Sequence, residues 1–162
     1  MTLDSKIELI AKLILKARTV PEVKNLALEI VAEQRDGRWV VDEGDYLGEL
    51  SQVYKWIRDN IRYTHDPYNN DTIESAEYVL KYRATDCDGF TVLGGALLGS
   101  IGYKVWLIVS GVNDYEHIYL LVGIPPEVPD PSRVVAFDAS IDRWPGWEPE
   151  DHKISKAYRI NY

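Results

Sequence analysis

Helical periodicity in the first hundred residues, followed by short apolar strands, predicts an α+β protein. Three observations carry this. Apolar residues recur at intervals of three and four up to residue 101, the texture turns to short β-type runs after Gly102, and the strands follow one another without intervening helices, as in an antiparallel sheet. The expected architecture is a set of N-terminal helices and a central helix bearing Cys87, packed on that sheet.

In chain order, Ser5 is placed to cap a helix whose buried positions are Ile7, Ile10, Ala11 and Ile14. Pro21 opens a second helix with Val23, Leu26, Ala27, Ile30 and Val31 inside, and Asp36-Gly37 stops it. Residues 38–48 read as a loop with a short strand. A third helix is expected over 46–61, carrying Leu50, Val53, Trp56, Ile57 and Ile61 on one side. Asn and Asp make 63–71 a loop, and 72–82 reads as a short helix. Asp86 is a good N-cap for a helix over 87–101, and Gly102 sits where a left-handed residue ends it. Gly94, Gly95 and Gly99 cost that helix propensity, which predicts close approach by a neighbouring backbone and a central position. Strands are expected at 103–109, 117–124 and 133–137, with a stiff proline segment between the last two. The tail, 141–162, shows no periodicity. One domain over 1–162 is expected, helical to 102, sheet over 103–140 and irregular beyond.

Composition narrows the function classes. The chain has 162 residues, 18 Lys and Arg against 26 Asp and Glu, a net charge of −8 and a single cysteine. That length can bury a core without metals or crosslinks. The acidic balance argues against nucleic-acid binding, because counterion release needs clustered cations. One cysteine forms neither an intrachain disulfide nor a multi-thiolate zinc site. No apolar run reaches the roughly 20 residues of a membrane span, and the first residues lack a signal-type pattern. The expectation is a soluble, cytoplasmic protein with no cofactor.

The phosphate-loop, GxSxG, HExxH and CxxC signatures are absent. Asp86 and Asp88 flank Cys87 and are the calcium candidates, although they face different ways on a helix. What remains is Cys87 at the first turn of a buried helix, His117 at the start of a strand and Asp138 at the end of another, spaced 30 and then 21 residues apart. A helix start favours a thiolate and offers backbone N–H groups to an oxyanion. A histidine on a neighbouring strand can exchange protons with the sulfur, and an aspartate can fix its tautomer. The bland alternative is a small buried hydrophobe at 87, a structural histidine and a turn aspartate.

The stretch Thr85-Asp86-Cys87-Asp88-Gly89-Phe90, continuing through Leu97-Leu98-Gly99 into the strand after Gly102, resembles the active-site motif of the transglutaminase-like superfamily. Glu116-His117-Ile118-Tyr119 and Ala136-Phe137-Asp138-Ala139-Ser140 resemble that family's histidine and aspartate strands, and Trp56 to Tyr63 its approach to the cysteine. The resemblance covers about residues 50–140. It implies a papain-like core with Cys87 as nucleophile, His117 as base and acid, Asp138 as orienting group, and Tyr63 as a candidate oxyanion donor. The implied activity is thiol-dependent acyl transfer on amides of a protein or peptide substrate, by transamidation, deamidation or hydrolysis. Two alternatives stay open: a non-catalytic binding or virion-assembly module, and an arylamine acetyltransferase-like activity. Phage or prophage transglutaminase-like proteins share the Asp-Ala-Ser ending, which would make virion structural proteins the partners and the location virion-associated. Gly89 and Tyr119 depart from the family, which often has an acid and Trp there. His65 and His152 match nothing and are expected to be solvated.

Overall fold

The computed structural model describes residues 1–66 and 72–162, so part of the loop expected over 63–71 lies outside the described residues. Helix α1 (Leu3–Ala17) buries Ile7, Ile10, Ile14 and Ala17. Its cap is Thr2 and not Ser5: Thr2 Oγ1 accepts from the Ser5 N–H at 3.2 Å, and the two hydroxyls meet at 2.6 Å. Either residue type can cap, and the earlier start lets Leu3 pack against the core. Helix α2 (Pro21–Val31) begins on its proline. Asp36-Gly37 then does more than end a helix. Both residues have positive φ (51° and 74°) and turn a hairpin between β1 (Gln34–Arg35) and β2 (Arg38–Trp39).

Helix α3 (Tyr46–Asn60) is capped by Asp45, whose carboxylate accepts from the Gly48 N–H at 2.9 Å. It leads into β3 (Arg62–Tyr63). Helix α4 (Ala76–Tyr82) is shorter than expected because Ser75 caps it, and Arg83 in the left-handed region (φ 59°) ends it. Strand β4 (Ala84–Thr85) pairs in parallel with β3, setting Tyr63 beside Thr85. Helix α5 (Cys87–Ser100) follows at once, and Gly102 adopts φ 98°, as its position predicted.

Strands β5 (Val105–Gly111), β6 (His117–Gly123), β7 (Val134–Phe137) and β8 (Ile154–Arg159) form one antiparallel sheet in the order β7-β6-β5-β8. The mixed architecture of helices on an antiparallel sheet is the one the sequence predicts. The tail is a correction. Instead of being irregular, it crosses the sheet and adds β8 beside β5, with Trp106 opposite Arg159 and Ser110 opposite Ser155. An edge strand with one half-exposed side carries little apolar alternation, so periodicity does not reveal it.

Helix α5 is buried from Asp88 to Gly99. Its glycines admit side chains and not a neighbouring backbone: a Cβ at Gly95 would stand 2.7 Å from Ile14 Cδ1, one at Gly94 3.1 Å from a Phe137 ring carbon, and one at Gly99 3.3 Å from Arg18 Cβ. Thus α1 and β7 press on α5 from two sides. Because three atoms of the buried Ile14 crowd that point, Gly95→Ala is expected to destabilise the fold by about 1–2 kcal/mol in urea unfolding, despite alanine's better helix propensity.

Candidate active site

The N-terminal end of α5 is built by Asp86. Its Oδ1 accepts from the Asp88 N–H (3.0 Å) and the Gly89 N–H (3.4 Å), which satisfies two of the helix's orphan donors. Those two amides are therefore occupied, and the Cys87 amide is the first-turn N–H that Asp86 leaves for a ligand oxygen. One turn on, the Thr91 hydroxyl shares its proton between the Cys87 carbonyl (2.8 Å) and the Ile118 carbonyl (3.2 Å). This ties the helix to β6 beside the cysteine. A Cβ at Gly89 would lie 1.9 Å from Thr85 Oγ1. No larger side chain fits at that position unless Thr85 shifts.

His117 lies at the start of β6, opposite Ser110. Its Nε2 meets Asp138 Oδ2 at 2.6 Å, with both side chains largely buried. Asp138 follows β7 directly, and its other oxygen accepts from the Ser140 hydroxyl (2.6 Å) and N–H (3.2 Å). The carboxylate is thus locked on both sides. Cys87, Asp88, His117 and Ile118 line one small cavity of about 50 Å³, walled by Leu3, Lys6 and Ile7 of α1. The structure brings the three expected residues to one place. It joins His117 to Asp138 by a hydrogen bond, while no hydrogen bond links Cys87 to His117 among the described residues.

The electrostatics at the sulfur run against the helix-dipole expectation. Burial first, then the Asp88 and Asp86 carboxylates, push the Cys87 thiol up to about 12, while the Ile118 amide and the Lys6 ammonium act the other way. A dipole of about half a charge is outweighed by two carboxylates and desolvation. The resting sulfur is a neutral thiol. Tyr63 is 40% exposed and stacks on Phe90 at 6.1 Å, and burial and the Cys87 sulfur hold its phenol up to about 12. It therefore stays a hydrogen-bond donor.

The two calcium candidates separate. Asp88 Oδ2 pairs with Lys6 Nζ at 2.6 Å, whereas Asp86 joins Asp66 and Glu74 in a cluster whose carboxylate oxygens lie within 4.8 Å of one another. Asp86 is pushed up to about 7 by burial first, then by the Asp88 carboxylate and those of its cluster partners Asp66 and Glu74. Among the described residues only this trio could offer a cation several oxygens, and proximity alone defines no metal site.

Two tail residues escape sequence reasoning. His152, expected to be solvated, bonds through Nδ1 to Ser110 Oγ (2.7 Å) and sets its ring edge-on to His117, with centroids 6.1 Å apart. Glu148 accepts from the Tyr119 hydroxyl at 2.7 Å. His65, also without a family match, sets its ring edge-on to Tyr63 at 5.1 Å. The partners of His152 and Glu148 lie 42 and 29 residues upstream, so no local signal marks them.

The chain belongs to the transglutaminase-like superfamily, whose family model matches residues 32–138. At the level of that family this is the fold of thiol-dependent peptidases and transamidases. No curated protein matches the sequence. Among solved structures, a candidate cysteine protease from Cytophaga hutchinsonii is similar at 16% identity and a TM-score of 0.54, over 90% of this chain and 51% of that one. A candidate protease from Parabacteroides distasonis is similar at 13% identity and a TM-score of 0.50, over 81% of this chain and 29% of that one. LapG from Legionella pneumophila, in an EGTA-treated form, gives 14% identity and a TM-score of 0.48, over 85% of this chain and 73% of that one. The first two likenesses show the fold. The chain spans about half the length of the first and under a third of the second. No helix of the described residues is long and apolar enough to cross a membrane.

Two outcomes are expected. Iodoacetamide should alkylate Cys87 more slowly than it alkylates free cysteine at pH 7, with a rate still climbing above pH 9 and no plateau near the ordinary thiol value of about 8.5. Asp86 has a folded-state pKa above its unfolded value, so it imposes no penalty below about pH 4, a growing one up to about 7 and a constant one above. Asp86→Asn keeps a capping oxygen and removes the repulsion. It should raise Tm by a few degrees at pH 8 and leave Tm unchanged near pH 4, as measured by thermal unfolding.

Proposed function

We propose that this protein is a thiol-dependent acyl-transfer enzyme acting on amide or ester bonds, with Cys87 as nucleophile, His117 as acid and base, and Asp138 as the group that orients His117. The observation that carries the reading is the 2.6 Å His117–Asp138 pair at the cavity that also holds the Cys87 end of α5. With Nε2 engaged by Asp138, Nδ1 is the ring nitrogen that receives the Cys87 proton. In the same step sulfur and carbonyl carbon form a bond, and negative charge moves to the carbonyl oxygen. The Cys87 amide and the Tyr63 hydroxyl are the donors suited to that oxygen. Collapse breaks the carbonyl–leaving-group bond, and His117 returns its proton to the departing amine or alcohol. The thioester is finally released by water or an amine that His117 deprotonates. Because its surroundings hold the thiol proton, proton transfer to His117 accompanies the attack.

A second reading is a non-catalytic binding module, a virion-assembly component among the options. Two observations favour it: the raised thiol and the lack of a hydrogen bond between Cys87 and His117. Hydrolysis of p-nitrophenyl acetate separates the two. Cys87→Ala should abolish release of nitrophenol, and His117→Asn should lower kcat/KM by about a hundredfold or more. Asp138→Asn should act in the same direction. Equal rates in wild type and Cys87→Ala would favour the binding module.

A further inference from the structure

Lys6 stands on α1, ahead of the residues that the family model covers, yet its ammonium reaches the nucleophile's end of α5. Its Nζ lies 2.6 Å from Asp88 Oδ2. The Asp88 side chain is 1% exposed and that of Lys6 26%, so this is a carboxylate taken out of water beside a cation that keeps some solvent. The other Asp88 oxygen accepts from the Cys87 thiol, 3.9 Å from Sγ. Lys6 also lines the same small cavity as Cys87 and His117, with Leu3 and Ile7 on either side of it along the helix. Once the thiol proton leaves, the buried carboxylate becomes a like charge at contact range of the sulfur. In a site with little water that opposition is far stronger than at a surface.

We propose that Lys6 is a positioning residue for Cys87: by pairing with Asp88 it offsets the carboxylate charge beside the sulfur, so that loss of the thiol proton does not place a second uncompensated negative charge in the cavity. The inference rests on the reading of Cys87 as nucleophile. It makes α1 a working part of the site as well as a packing element. The groups that face Cys87 are Asp86 at the cap of α5 and Asp88 on it, Lys6 on α1, Tyr63 on β3, His117 on β6, and Tyr115 and Glu116 just before that strand. Of these, Lys6 and Asp88 form the pair whose charges can be altered independently. The helix does not depend on the pair for its place, since Ile7, Ile10, Ile14 and Ala17 seat it in the core and Ile14 abuts Gly95.

The test measures the rate of Cys87 alkylation by iodoacetamide between pH 7 and 10. Lys6→Met is expected to slow alkylation at pH 8 by about tenfold, the size of a one-unit rise in the thiol's pKa. Lys6→Arg keeps the charge and should stay within about threefold of wild type. Asp88→Asn is expected to act in the opposite sense and speed alkylation, and adding it to Lys6→Met should restore the rate. Should Lys6→Met fail to fold, Asp88→Asn still decides, because a merely structural clamp gives no acceleration. An unchanged rate in Lys6→Met, or slowing in Asp88→Asn, overturns the proposal. Alkylation requires no substrate. The expected rate changes combined with no ester cleavage would count against the enzymatic reading alone, and ester cleavage with unmoved alkylation rates would count against Lys6 alone.

Discussion

Helix α5 has no polar face. From Asp88 to Gly99 every residue is buried, so the helix is stable only when neighbours surround it. Helix α1 lies against Gly95 and Gly99, β7 reaches Gly94 through Phe137, and β6 is bonded to the first turn through Thr91. These contacts fix both the rotation and the depth of the helix, and with them the place of Cys87. The three glycines give up helix propensity to allow that approach. The substitution expected to disturb the fold and the residue expected to perform chemistry therefore lie on one element, two turns apart.

Fixing Cys87 in this way has an electrostatic consequence. The Asp86 side chain that starts the helix, and the Asp88 side chain that follows the cysteine, are both acidic and both close to the sulfur. The Asp86 carboxylate satisfies first-turn N–H groups, and both carboxylates oppose ionisation of the thiol. The site resolves this with a cation from a distant part of the chain and with a histidine whose far nitrogen is held by a locked aspartate. On the proposed reading, thiol activation depends on proton transfer during attack.

Much of this was legible in the sequence because its signals are local. The Asp86 cap, the Gly102 stop, the proline start of α2, the strand start at His117 and the strand end before Asp138 each follow from a few adjacent residues. The motif around Cys87 led to the family. What stayed hidden is non-local or ambiguous. Strand β8 is a half-exposed edge whose partner lies more than forty residues upstream. The Ser110–His152 and Tyr119–Glu148 bonds form because the tail crosses the sheet, a path no periodicity records. A helix start by itself favours the thiolate, and the depth at which this one is buried reverses the sign of the shift. The Lys6–Asp88 pair joins α1 to α5 across about eighty residues of chain, so no local pattern marks it.

The central claim is that the Cys87 sulfur becomes acylated with His117 as its base. Intact-protein mass spectrometry after brief mixing with p-nitrophenyl acetate, quenched in acid, tests it directly. The account predicts one added acyl group, mapped to Cys87 by peptide analysis, accumulating in wild type and strongly diminished in the His117→Asn variant. Acylation of lysines alone, or an adduct at Cys87 that forms equally fast without His117, would contradict it.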